Sequence, residues 1–158
     1  MPAHRLRMET WLPAPVDKVF PFFADPANLD ALTPPWVGLE VLTTQPIEMR
    51  AGALIEYRIR LRGVPIRWMT EITEWDPPRR FVDVQKRGPY RAWRHEHRFE
   101  PLDGGTVVAD DVAYEVPGWM AAPLVNRLLV RPDLDRLFEY RRKTMLRLWH
   151  HETVGTPR

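Results

Sequence analysis

Hydrophobic and polar residues alternate most clearly over Ala53–Arg62, where Ile55, Tyr57, Ile59 and Leu61 interleave with Glu56, Arg58, Arg60 and Arg62. A period of two is that of a strand with one dry and one wet face. His4–Trp11 alternates in the same way, and Pro65–Trp75 and Arg80–Lys86 continue the series after turns at Gly63-Val64 and Asp76-Pro77-Pro78. Trp36–Thr43 reads as a further strand. Between it and the first strand the period lengthens. Val16, Val19, Phe20 and Phe23 fall on one face of a short helix, Val16–Ala24, opened by Pro13-Ala14-Pro15. A second short helix, Pro26–Leu32, is stopped by Pro34-Pro35, which cannot extend a helical hydrogen-bond ladder.

The most informative stretch is Tyr90–Pro117. Asp103-Gly104 is a two-residue hairpin signal, because the tight primed turn needs positive φ at both central positions. Pairing Leu102 with Gly105 sets Phe99 opposite Val108, His97 opposite Asp110, His95 opposite Val112 and Trp93 opposite Tyr114. These side chains share one face of the ribbon, while Arg94, Glu96, Arg98, Glu100 and Asp111 occupy the other. The dry face thus carries two histidines and an aspartate among aromatic and aliphatic groups. Buried polar groups of this kind cost free energy unless paired, so they are paired or they face a cavity.

After Pro117 the pattern is helical. Pro123–Val130 reads as a short apolar helix broken by Pro132, and a long helix runs from Asp133 to about His150. Leu134, Leu137, Phe138, Met145, Leu148 and Trp149 form its apolar stripe, with Arg141 midway along the same face and the only charge expected in the cavity. The whole is an α+β arrangement: a curved antiparallel sheet of six to seven strands, two short helices after strand 1, and a long C-terminal helix. That helix is the only element large enough to cover the sheet's dry face.

The chain has 158 residues, enough for one domain with a real core, read here as 1–158. A net charge of +2 from 23 basic and 21 acidic residues is too even to argue for nucleic acid. Cysteine is absent, which removes disulfides, zinc–thiolate sites and thiol nucleophiles and fits a cytoplasmic location. Serine is absent too, removing serine hydrolase chemistry. No signal peptide is visible, and no apolar run approaches the roughly 20 residues that span a bilayer, so stable membrane insertion is not expected.

Particular residues sharpen this outline. Ala14-Pro15-Val16-Asp17-Lys18-Val19-Phe20 with Asp25-Pro26-Ala27-Asn28-Leu29, Trp75-Asp76-Pro77-Pro78-Arg79-Arg80-Phe81, and Phe99-Glu100-Pro101 with Gly104-Gly105-Thr106 resemble the START-like helix-grip (SRPBCC) superfamily. The branch resembled is the polyketide cyclase/dehydrase-like group. The resemblance implies a hydrophobic or amphipathic ligand held between sheet and C-terminal helix. It carries over no catalytic set, because the superfamily has none in common, and fold alone does not license function.

His95 and His97 are candidates for acid–base work or for orienting a ligand carbonyl, together with Asp110. The alternative is a satisfied buried pair bonded to Asp110 or Tyr114. Two imidazoles and Asp110 also match a two-histidine, one-carboxylate metal set, but no second-shell motif is legible, and neither a metal nor a cofactor is expected. Asp83 and Gln85 point inward if Phe81 does; the opposite phase puts Val82 and Val84 inside. The family-like placement of Phe81 favours the first. Arg141 either anchors an anionic group or pairs with Asp83 or Asp110, and the pair is favoured because a lone buried guanidinium is costly. Tyr57, Trp68, Trp93, Tyr114 and Phe138 complete the expected ligand-contacting set, with Trp36, Trp119 and Trp149 as further candidates for the lining. Three functions follow: carriage of a small hydrophobic or amphipathic molecule; a cyclase, dehydratase or isomerase acting on a polyketide-like or aromatic substrate; or a filled domain serving protein association. A cavity below the ~300 Å³ typical of small-molecule sites would favour the last.

Overall fold

The computed structural model describes residues 4–118 and 122–154. Its elements are β1 (His4–Leu12), α1 (Val16–Phe23), β2 (Glu40–Val41), β3 (Leu54–Leu61), β4 (Val64–Asp76), β5 (Arg80–Arg87), β6 (Ala92–Leu102), β7 (Gly105–Glu115), α2 (Ala122–Val125) and α3 (Arg131–Val154). The strands form one antiparallel sheet in the order β1-β7-β6-β5-β4-β3-β2. The curved sheet, the short helical pieces after β1 and the long C-terminal helix are those of the helix-grip fold.

The β6–β7 hairpin has the register the turn chemistry dictates. Leu102 pairs with Gly105, Phe99 with Val108, His97 with Asp110, His95 with Val112 and Trp93 with Tyr114. Asp103 and Gly104 take φ of 50° and 75°, the positive values a primed turn requires. Gly105 is needed for a different reason. A Cβ there would lie 2.3 Å from the Leu12 carbonyl oxygen, inside any allowed contact.

Four expectations are corrected. The β3–β4 turn is Arg62-Gly63, with Leu61 paired to Val64, so it lies one residue earlier than the glycine-valine signal indicated. The run Trp36–Thr43 contributes only Glu40–Val41 to the sheet. Pro34 and Pro35 carbonyls instead accept from Val37 and Gly38 N–H, and this turn holds Trp36 out of the ladder. The helix anticipated over Pro26–Leu32 shrinks to a single 3-10 turn, Pro26–Asn28, capped by the Asp25 carboxylate accepting from Ala27 N–H. Finally, Pro132 does not break the C-terminal helix. Asn126–Val130 is a π-helical stretch whose last bond runs from Arg131 N–H to the Asn126 carbonyl. The wider turn accommodates the proline ring and its missing donor, and helical backbone is continuous from α2 into α3.

The core has two parts. One packs α1 (Val19, Phe20, Phe23) against Phe81, Phe99, Val108 and Ile72, and Met145 and Trp149 of α3 close it. The other packs the first turns of α3 (Leu134, Phe138) against Trp68, Trp93, Val112 and Tyr114. Leu134, Phe138, Arg141, Met145 and Trp149 are all buried, which is the spacing of one helical face. Leu137 is half-buried at the edge of that face. Leu148, expected on the same face, is 39% exposed and points away from the sheet. Among the described residues no helix is long and apolar enough to cross a membrane.

Candidate functional site

A cavity of about 480 Å³ lies between the sheet and α3. Its walls are largely aromatic and aliphatic. Tyr57 stacks on Trp68 at 5.8 Å, and Trp68 meets Trp93 edge-on at 5.2 Å. Phe138 approaches the His95 ring from α3, while Phe81 stacks on His97 at 4.2 Å. Trp36 stands 52% exposed at the mouth, with the Arg136 guanidinium 5.1 Å over its ring and Tyr140 against its edge. Beside it, Arg62 Nη2 of the β3–β4 turn reaches Asp133 Oδ1 of α3 at 3.1 Å.

The polar floor sits between the two halves of the core. Strand alternation aims His95 and His97 at the cavity, and pairing of Phe81 with His97 and Asp83 with His95 brings Asp83 beside them. His95 Nε2 is 2.7 Å from Asp110 Oδ1, and His97 Nε2 is 2.7 Å from Asp83 Oδ2. A carboxylate only accepts, so both Nε2 atoms carry the proton and donate. The two imidazoles stack at 3.7 Å. The Thr70 hydroxyl shares its one proton between Asp83 Oδ1 at 3.3 Å and the Val84 carbonyl at 3.1 Å. Arg141 donates from Nε and Nη2 to Asp110 at 3.3 and 3.4 Å. His97 Nδ1 stands 3.4 Å from Asp110 Oδ1 without hydrogen-bond geometry, and it is a buried polar atom with no partner.

Charge follows from these contacts. Burial pushes the Asp110 carboxyl up, but the Arg141 charge, the hydrogen bond from His95 and the nearby His97 overrule it and hold the group well below the usual carboxylate range. Asp83 follows the same logic: burial raises it, and the His97 hydrogen bond with the histidine charges brings it below its ordinary value. Burial and the neighbouring His97 lower His95. Burial also opposes charging of His97, but its two carboxylate neighbours raise it above an ordinary histidine. Burial sends the Tyr57 hydroxyl well up, and the Asp83 charge adds to it.

Of the expected ligand-contacting residues, Tyr57, Trp68, Asp83, Trp93, His95, His97, Phe138 and Arg141 line the cavity. Three do not. Gln85 is spent on a local loop, donating to the Tyr90 carbonyl and accepting from Tyr90 N–H. Asp110 lies behind the histidines, 2% exposed. Tyr114 turns towards the helical segment, donating its hydroxyl to Asn126 Oδ1. Arg141 takes the ion-pair role, and its partner is Asp110. It is not the cavity's only charge, since Asp83 shares the floor and Arg62, Asp133 and Arg136 the mouth. Trp36 reaches the lining as expected, whereas Trp149 packs with Phe22 in the core; Trp119 lies outside the described residues. The mouth residues Asp133 and Arg136 were missed, although each neighbours a stripe residue, Leu134 or Leu137, on the long helix.

A family model described as polyketide cyclase / dehydrase and lipid transport matches residues 12–137, well over half of the chain. The chain belongs to that family. Among curated proteins no sequence matches it. Its fold is similar to that of the Zhui aromatase/cyclase from a Streptomyces species, at 18% identity over 98% of this chain and 99% of that one, with a TM-score of 0.70. Protein Ms6760 from Mycobacterium smegmatis is similar at 20% identity, over 94% and 92% of the two chains, with a TM-score of 0.68. Protein CV1439 from Chromobacterium violaceum gives 17% identity over 92% and 96%, with a TM-score of 0.70. At these identities the likeness is one of fold.

Proposed function

We propose that the protein binds a small, largely apolar ligand with a polar end, held between the sheet and α3. The observation that carries this is the cavity itself. At about 480 Å³ it falls within the ~300–1,000 Å³ range of small-molecule sites, and it joins aromatic walls to one polar floor. An apolar body gains by leaving water along Tyr57, Trp68 and Trp93, while a polar end meets Asp83, His95 and His97. The volume weighs against a filled domain serving only protein association.

One observation favours a second reading, acid–base chemistry of the cyclase, dehydratase or isomerase kind. His95 and His97 adjoin on one strand, both open onto the cavity, and their proton affinities are displaced in opposite directions. Such a pair supplies a base and an acid at one pH.

The test is native mass spectrometry of freshly purified protein, joined to titration with a neutral polarity-sensitive naphthalene probe followed by energy transfer from Trp68 and Trp93. A co-purified small molecule, or micromolar probe binding that weakens at least tenfold in Leu137→Trp, supports the reading. Leu137 is half-buried and lines the cavity, so the larger side chain fills space without replacing a central core group. No bound molecule together with no probe binding overturns it.

A further inference from the structure

We propose that Asp83, His95 and His97 form a binding site for a first-row transition dication, with its open coordination positions facing the cavity. Each residue offers one ligand atom, and these atoms all lie within 4.8 Å of one another. They come from adjacent strands, β5 and β6, whose pairing sets Asp83 directly across from His95. All three side chains line the cavity, so ion and co-ligands have a path in.

The separations suit an ion. With bonds of about 2.1 Å, neighbouring donors sit roughly 3.0 Å apart around an octahedral ion and roughly 3.4 Å apart around a tetrahedral one. Asp83 Oδ2 is 2.7 Å from His97 Nε2 and 3.9 Å from His95 Nδ1, distances that bracket those values. The 3.9 Å gap matters most. No hydrogen bond spans it in either protonation state of the imidazole. His95 already donates its Nε2 proton to Asp110, so its Nδ1 and the Asp83 carboxylate face one another with no hydrogen between them.

A supporting shell is also present, and this is what separates the cluster from a chance meeting of polar residues. A metal-bound imidazole ordinarily donates its second nitrogen to a carboxylate, which fixes ring and tautomer. Asp110 already serves His95 in that way at 2.7 Å. It also stands 3.4 Å from His97 Nδ1, the buried atom that has no partner. An ion on His97 Nε2 requires the ring proton to sit on Nδ1, and Asp110 is the carboxylate that faces that atom. Thr70 steadies Asp83 through Oδ1, leaving Oδ2 for the ion, and Arg141 holds Asp110 from behind. Asp110, named as a ligand by the sequence pattern, is thus the supporting carboxylate, and Asp83 takes its place. Two imidazoles and one carboxylate select zinc, iron, cobalt or nickel over magnesium or calcium. Water, or an oxygen of a molecule in the cavity, completes the shell. The site stands whether or not an organic ligand shares the space.

The test uses the full chain, stripped with chelator and titrated with Co²⁺ followed by visible absorption, and with Zn²⁺ by calorimetry. One equivalent should bind with a dissociation constant of about 10 µM or tighter and give a cobalt ligand-field band. His97→Gln and Asp83→Asn should each weaken binding at least 100-fold. Asp110→Asn should weaken it about 10–100-fold, as loss of a supporting carboxylate does. Near-ultraviolet circular dichroism on each variant separates loss of a ligand from loss of the fold, and either of the two ligand variants that remains folded decides the matter. The pair His150→Gln/His151→Gln, at the far end of α3, should bind as the wild type does. Absence of one-to-one binding in the wild type overturns the proposal. So does binding that survives His95→Gln/His97→Gln or is abolished by the His150/His151 pair.

Discussion

Removing the Asp110 carboxylate should be among the most destabilising single changes in this chain. Asp110 is 2% exposed and accepts from His95 at 2.7 Å and from Arg141 at 3.3 and 3.4 Å. Arg141 is itself 7% exposed, and among the described residues Asp110 is the carboxylate it pairs with. Asp110→Ala strands that guanidinium, and breaking a buried pair from one side costs about 3–5 kcal/mol. The freed His95 donor adds a cost of about 1–3 kcal/mol that overlaps with the first rather than summing with it, because both groups relax into the same small void. The expected total is about 3–5 kcal/mol. Equilibrium urea unfolding at pH 7 measures it, provided the slope against denaturant is unchanged. The decisive comparison is Asp110→Ala/Arg141→Met. Losing the stranded cation as well should make the double variant more stable than the Asp110 single variant by about 2 kcal/mol. If Asp110→Ala costs under about 1 kcal/mol, or the two changes simply add, Arg141 does not depend on Asp110 and the account of the cavity floor fails. Asp111→Ala is the internal control. Its partners Arg5 and Arg7 stand in solvent on the opposite face, where screening leaves little to lose, and its effect should be a small fraction of the other.

Two further outcomes are expected. Because the folded chain holds the Asp83 and Asp110 carboxyls below their ordinary values, the stability they contribute is complete above the unfolded value near pH 4 and is lost as pH falls below it; urea midpoints from pH 7 to pH 3 should therefore drop more steeply in the wild type than in Asp110→Ala, and equal slopes would refute the linkage. Leu134→Ala, at 4% exposure against the sheet, should cost about 2–5 kcal/mol in the same assay, whereas Leu148→Ala, outward-facing, should cost under about 1 kcal/mol; comparable losses would mean that the assigned helix face is wrong.

The hairpin was legible because its information is local. Asp103-Gly104 fixes the turn, the turn fixes the register, and the register fixes which side chains share a face. Trp36–Thr43 was not, because an apolar run becomes a strand only where a partner meets it in register; only Glu40 and Val41 join the ladder with β3, while Val37, Leu42 and Thr43 meet it through single hydrogen bonds. The phase of β5 was ambiguous for a specific reason. Phe81 faces the cavity side, yet Val82 on the other face is fully buried too. Its neighbours Glu74 and Glu96 are both bridged by Arg80, and the stems of these side chains cover it. Alternation marks dry and wet faces only where the wet face is open. Arg141 illustrates the opposite limit. The helical period placed it on the buried face, but the choice between Asp83 and Asp110 depends on how far α3 lies along the sheet, and no window of sequence holds that distance.

The mouth of the cavity has a kinetic consequence. It is fastened by Arg62 to Asp133 and by Arg136 over Trp36, contacts that are half in solvent. Fastenings of this sort hold by roughly 1 kcal/mol or less apiece. A mouth closed by two such contacts stands open in roughly one molecule in thirty or more at any instant, which is far too often to limit traffic. How long a guest stays would then be set by its own grip on Tyr57, Trp68 and the histidine floor, and added salt, which screens Arg62 from Asp133, would leave that stay unchanged.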